Sequence, residues 1–182
     1  MPQLQPTLAG FLTFVRTTMG IGTAILPDNS PVIGMAFAVA LAIVNPSLQS
    51  VSIPQFDSTG AQLNGGGLSV YALAVYNLAG DNLLNYAQDL PEAPIVPGSG
   101  KAGDPTNPGL PFFAWTRKQL NLNGFVSGVI QSSSDNGSGN SMVVQDAAKN
   151  FTLANLQQLK TPYGRQYLAF AQSYGPSTWG MN

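Results

Sequence analysis

A chain of 182 residues with seven basic and eight acidic side chains, no histidine and no cysteine, has the length of one ordinary domain. Without cysteine there is no disulfide, no thiolate nucleophile and no cysteine-based metal site, and without histidine the usual imidazole base and ligand are gone. Charged residues make up 8% and apolar ones 44%, where an average soluble domain carries about 25% charged, so neutral polar side chains cover the surface and repulsion between copies is weak.

The first helix is expected over about 7–19, with Thr7 as cap and Leu8, Phe11, Leu12, Val15 and Met19 at helical spacing. Asp28-Asn29-Ser30-Pro31 announces a second over about 31–44, PVIGMAFAVALAIV, which is uncharged throughout and has no polar side. Its fourteen residues span about 21 Å against the roughly 30 Å of a bilayer core, so the expectation is a core helix surrounded by other helices, not a membrane span. A third helix, about 69–89, is apolar all round in its first half. Asp81, Asn82, Asn85, Gln88 and Asp89 make its second half amphipathic, as though it left the core midway. The flanking stretches 46–67 and 91–111 are rich in proline and glycine and are expected to be long loops, either binding surfaces or plain excursions.

A short fourth helix over about 111–121 carries Phe112, Phe113, Trp115 and Leu120. The period then changes. The β-prone runs 125–132 and 141–145, joined across a polar tip at 133–140, predict a hairpin over about 125–145, which must lie on the helices or add to a neighbour's sheet. Thr152 can cap a helix over about 153–159, and Thr161-Pro162 starts another, about 162–174, that Gly175-Pro176 stops. Tyr163, Tyr167, Phe170 and Tyr174 make one aromatic stripe on it, a pattern more often core than ligand site. The tail 176–182 ends in Trp179-Gly180-Met181-Asn182. The whole is a mainly α fold, a small helical bundle of about five helices with one protruding β-hairpin and long Gly/Pro-rich loops, in a single domain over 1–182.

Chemistry is hard to find. Gly98-Ser99-Gly100-Lys101 resembles part of a phosphate-binding loop, but Ile95 and Ala102 stand where that pattern needs glycine and Ser or Thr. Asp81 and Asp89 are eight residues apart, about 12 Å along a helix, too far for paired acid/base work within it, and the ordinary reading is solvated helix-face charge. The seven cations are scattered singly apart from Arg117-Lys118, which gives no basic stripe for nucleic acid. Asn136 and Asn150 open glycosylation patterns, which mean little without a secretory route, and the first fifteen residues do not read as a signal peptide. A protein made and used in a cytoplasm is expected, with no enzymatic activity, no metal and no cofactor.

The run LANLQQLKTPYGRQYLAFAQSYGPSTWGMN, residues 153–182, resembles the end of head-to-tail adaptor (connector) proteins of short-tailed bacteriophages, where a Thr-Pro-aromatic-Gly helix start leads through an aromatic helix into a short tail. FLTFVRTTMGI with ILPDNSPVIGMAFAVALAIVNP, and YALAVYNLAGDNLLNYAQD, fit the same pattern. The resemblance implies a structural virion protein, made in the host bacterial cytoplasm, that forms a ring at the head–tail junction, joins the portal protein to the next tail component (nozzle or tail tube) and lines a channel through which DNA passes without specific binding. It further implies Trp179 and Met181 as anchors on the portal side, with Tyr174 and Ser177 leading into them. The hairpin, through Val129, Asn136 and Val143, would contact an adjacent subunit or the next tail component. The alternatives are another tail or head-completion protein, a small ligand-binding or Asp-based catalytic domain, and a membrane-acting lysis protein.

Overall fold

The computed structural model describes residues 5–54, 59, 68–100, 108–124, 132–135, 138–141 and 152–174. Among these the chain is mainly helical: α1 Leu8–Thr17, α2 Pro31–Ile43, α3 Val70–Tyr86, α4 Phe112–Gln119, α5 Leu153–Gln158 and α6 Pro162–Tyr174. Local chemistry accounts for most of the starts. The Thr7 hydroxyl accepts from the Gly10 N–H at 3.0 Å and the Thr152 hydroxyl from the Asn155 N–H at 3.2 Å, each satisfying a donor that the first helical turn leaves free. Pro31 and Pro162 occupy first helical positions, where the missing N–H costs nothing. Ser30, at the N-cap of α2, makes no side-chain capping bond.

The core is built around α3, which packs against α1, α2, α4 and α6. Phe11 of α1, Phe37 of α2 and Tyr76 of α3 stack with centroids 5.9–6.4 Å apart, and Phe14 meets the edge of Tyr163 from α6. Full burial of Phe11 alone contributes on the order of 1.5–3 kcal/mol. The Tyr76 hydroxyl accepts from the Thr7 N–H at 3.1 Å, so this aromatic ring both fills the core and fixes where α1 begins. On α6, Phe170 is buried, Tyr163 and Tyr167 are half-buried against the core and Tyr174 is exposed, so three of the four aromatics in the stripe serve packing.

Tertiary packing overrides three expectations. The second half of α3 does not leave the core: burial is almost continuous from Val70 to Leu84 and includes Asn77 and Asp81; Thr161 donates to Asp81 and Gln157 of α5 to Asn85, while Asn77 donates to the Leu73 carbonyl of its own helix. It ends at Tyr86, short of the expected Asp89, since Asp89 is drawn away to another helix. Conversely, among the described residues α2 is not surrounded: it packs mainly on α3 and α1, burying Ile33, Ala36, Phe37 and Ala40, and its opposite face is exposed.

The described parts of the two loops carry more regular pairing than their composition suggests. Residues 46–50 form a 3-10 turn whose Asn45 side chain accepts from the Ser47 N–H, and β1 (Ser52–Ile53) pairs antiparallel with β2 (Leu68–Ser69). In 91–111, Ile95 bridges Pro111 and Val96 N–H donates to Leu110 C=O at 3.0 Å. Gly109 sits at this neck with φ +95, and a Cβ there would meet Ile95 at 2.6 Å, so only glycine fits. Within the expected hairpin, β3 (Ser132–Asp135) pairs antiparallel with β4 (Ser138–Ser141). The pairing therefore lies in the segment read as a polar tip, while the apolar runs 125–131 and 142–145 lie outside the described residues.

Candidate interaction surface

Thirteen consecutive residues without a charge make α2 strongly apolar, and one packed face uses only part of that. At i, i+4 and i+8, Met35, Val39 and Ile43 are 61%, 43% and 55% exposed, with Ala38 and Ala42 exposed between them. Covering three such half-exposed side chains would contribute about 2–4 kcal/mol in sum. Beside this stripe an open groove of about 420 Å³ runs between the starts of α1 and α2. Leu8, Leu12, Pro31, Ile33 and Gly34 line it, and Asp28, Asn29 and Ser30 close one end. Arg16 sets that end: its guanidinium pairs with Asp28 at 2.5 Å and donates to the carbonyls of Ile21 and Leu26, both at 2.6 Å, pinning the α1–α2 connection.

A second apolar group is exposed where the chain leaves α3. Tyr86 is 73% exposed, and Leu90 and Ile95 are also in solvent. This segment is tied to α4, whose packing partner is α3, through Asp89 and the Ile95–Pro111 bridge.

Both α3-region carboxylates are used internally. Asp89 accepts from the Phe113 and Ala114 N–H groups, each at 2.8 Å, so it caps the α4 N-terminus from a distance in sequence, where a negative charge also complements the helix dipole. Asp81 accepts from the Thr161 hydroxyl at 2.5 Å, and that hydroxyl accepts from the Gly164 N–H at 2.8 Å. One side chain thereby latches α3 to the first turn of α6. Burial pushes the Asp81 carboxyl up to about 6, with the Thr161 hydroxyl pulling the other way. Gly164 is required for the latch to close, because a Cβ there would lie 2.2 Å from the Gln158 carbonyl. The Thr161-Pro162-Tyr163-Gly164 run is thus explained by cap, pre-set φ and close approach. The reading of Asp81 and Asp89 as solvated face charges does not hold. Ser99, in the fragment resembling a phosphate loop, spends its hydroxyl on the carbonyl of Val96 and the backbone of Leu110.

Of the interface residues expected from sequence, Tyr174 lies at the end of α6 with its side chain exposed. Val129, Asn136, Val143, Ser177, Trp179 and Met181 lie outside the described residues. Sequence reasoning missed the α2 stripe, although Met35, Val39 and Ile43 already stand at helical spacing on the side opposite Phe37. It also missed the Asp81–Thr161 pair, whose members are eighty residues apart and carry no local signal. No helix among the described residues is long and apolar enough to cross a membrane. Compared with protein-family models, curated proteins and solved structures, the chain has no significant match in any of the three.

Proposed function

We propose that this protein is a structural component of a bacteriophage virion, a head-to-tail adaptor that assembles as a ring between the capsid portal and the tail and lines the DNA channel. The observation that carries the reading is the set of large apolar side chains left in solvent, above all the uncharged stripe on α2, in a chain whose Asp81 and Asp89 carboxylates are spent on internal hydrogen bonds. Exposed apolar groups of this kind mark association surfaces. A chain with a net charge of −1 also offers DNA few fixed cations to bind as it slides past. In this reading Trp179 and Met181 anchor the tail on the portal side, with Tyr174 and Ser177 leading to them. The hairpin over 125–145 protrudes towards an adjacent subunit or the next tail component. The protein is made in the host cytoplasm, resides at the head–tail junction, and has no catalytic role.

The test is the native mass of the purified protein alone and after mixing with the portal ring of the same genome. Addition in a fixed, ring-sized number is expected. A soluble, folded protein that ignores the portal but joins another tail or head-completion part would replace the adaptor with that role. Deleting Ser177–Asn182 should leave the circular dichroism spectrum unchanged and abolish docking; a truncated protein that still joins the portal would refute the tail's role. The α1–α2 groove, at about 420 Å³, falls in the size range of small-molecule sites and favours a second reading, an apolar-ligand-binding domain. Saturable binding of a small apolar compound there, without portal binding, would move the assignment to it.

A further inference from the structure

We propose that the joint between α3 and α6 is a proton-operated latch: a protonated Asp81 holds the α5–α6 unit down on α3, and an ionised Asp81 lets that unit, with residues 175–182 beyond it, open more readily. Asp81 is 3% exposed, and no cation pairs with it among the described residues. Its carboxylate meets the neutral Thr161 hydroxyl at 2.5 Å, while Asn85, one turn on, donates to its main-chain carbonyl. A hydroxyl serves a neutral carboxyl well and compensates a buried charge poorly. The charged groups on the surrounding elements are engaged elsewhere. Arg16 of α1 pairs with Asp28, Arg117 of α4 donates to the Leu84 carbonyl, and Arg165 of α6 donates to the Leu159 carbonyl. Lys160, between α5 and α6, donates to the carbonyls of Asn121 and Gly124, Asp89 is bound to the α4 N–H groups, and Lys118 is exposed. Tyr163 and Tyr167 of α6, pushed up by burial, are neutral, and Tyr174 is exposed. α3 itself adds Tyr71, Tyr76 and Tyr86 and no cation, and α2, α5, residues 46–50 and β2 carry no charged side chain.

The fold decides what opens. Tyr76, which stacks on Phe11 and Phe37, precedes Asp81 by five residues and so lies about 140° away round α3. The stack that joins α1, α2 and α3 therefore stays closed when residues 152–174 lift. α5 and α6 move together, since Gly164 approaches the Gln158 carbonyl too closely for a Cβ to fit between them. Opening wets Leu168 and Phe170, so the open form is a minor one, and the proton sets how minor. Burial holds the carboxyl at about 6 in the closed form, against its ordinary 3.8 in water. The closed form is thus favoured fully below about pH 4 and loses that advantage as pH rises through 6. Between pH 4 and pH 7 the opening constant rises about fiftyfold. In the adaptor reading the base of the docking tail then responds to pH, but the latch stands on the fold and does not rest on that reading.

Hydrogen exchange read by mass spectrometry tests the latch on the full-length protein and on Asp81→Asn, at pH 4 and pH 7, with rates corrected for the intrinsic chemistry of exchange. Peptides covering Leu168–Tyr174 should be less protected than those covering Phe11–Val15 at both pH values. In the parent their protection should fall about fiftyfold from pH 4 to pH 7, and in Asp81→Asn it should change by less than about threefold. Exchange of α6 in step with α1 at both pH values would mean that the molecule opens only as a whole and would overturn the inference. So would protection of α6 that is flat from pH 4 to pH 7, or that falls equally in Asp81→Asn. Should Asp81→Asn fail to fold, Thr161→Val serves: without the hydroxyl that favours the ionised form, the fall should exceed the parent's, and an equal or smaller fall would overturn the latch. A working latch in a protein that ignores the portal leaves this inference standing and removes the adaptor reading; portal binding by a protein with no latch does the reverse.

Discussion

Replacing Asp81 with Asn should remove a loss of stability that the protein suffers as pH rises from 4 to 7. In the folded protein burial raises the Asp81 carboxyl from 3.8 to about 6, whereas in the unfolded chain it titrates near its ordinary value. The folded state thus binds more protons between pH 4 and 6. This group's contribution is fully present below about pH 4 and is lost as pH rises through 6. A gap of about two pH units at ~1.4 kcal/mol each makes the loss about 3 kcal/mol by pH 7. Asn keeps an oxygen that can accept the Thr161 hydroxyl but carries no charge to desolvate. Relative to the parent, Asp81→Asn should therefore gain about 3 kcal/mol in stability between pH 4 and pH 7. Urea denaturation followed by circular dichroism at half-unit pH steps measures this difference, and the titrations common to both proteins cancel. Two parallel stability curves, with a constant offset across that window, would refute the claim that Asp81 is buried and latched. Thr161→Val in the same assay should push the window upward, because the hydroxyl that favours the ionised form is removed.

The remaining predictions concern glycine and the remote cap. Gly164→Ala places a methyl group 2.2 Å from the Gln158 carbonyl, and the α5–α6 turn must open to admit it; a loss of about 2–4 kcal/mol in denaturant unfolding is expected, and an unchanged midpoint would show that the turn yields freely. Asp89→Ala leaves the Phe113 and Ala114 N–H groups without their carboxylate. This should cost about 1–2 kcal/mol, with the earliest hydrogen exchange in α4; exchange lost uniformly across the helices would argue against a local cap.

Much of the helical layout is written in the chain itself. Thr7, Pro31, Thr152 and Pro162 announce helix starts through chemistry confined to one turn, and the observed α6, Pro162–Tyr174, coincides with the range read from Thr161-Pro162 and Gly175. Cap, proline and apolar period act within a few residues, so local sequence carries them. Which faces of those helices meet water is a different kind of fact. Asp81 looks like a surface charge until Thr161, eighty residues later, comes to cover it. Asp89 looks helical until the free N–H groups of α4 draw it away. The uniformly apolar α2 looks like a buried helix, yet the described chain covers one side of it and leaves Met35, Val39 and Ile43 in solvent. Periodicity tells a helix with one apolar side which way to face; a helix apolar on every side has no such mark, and only the packing of its neighbours decides which face stays free. That free face, decided by tertiary structure alone, is where the proposed function rests.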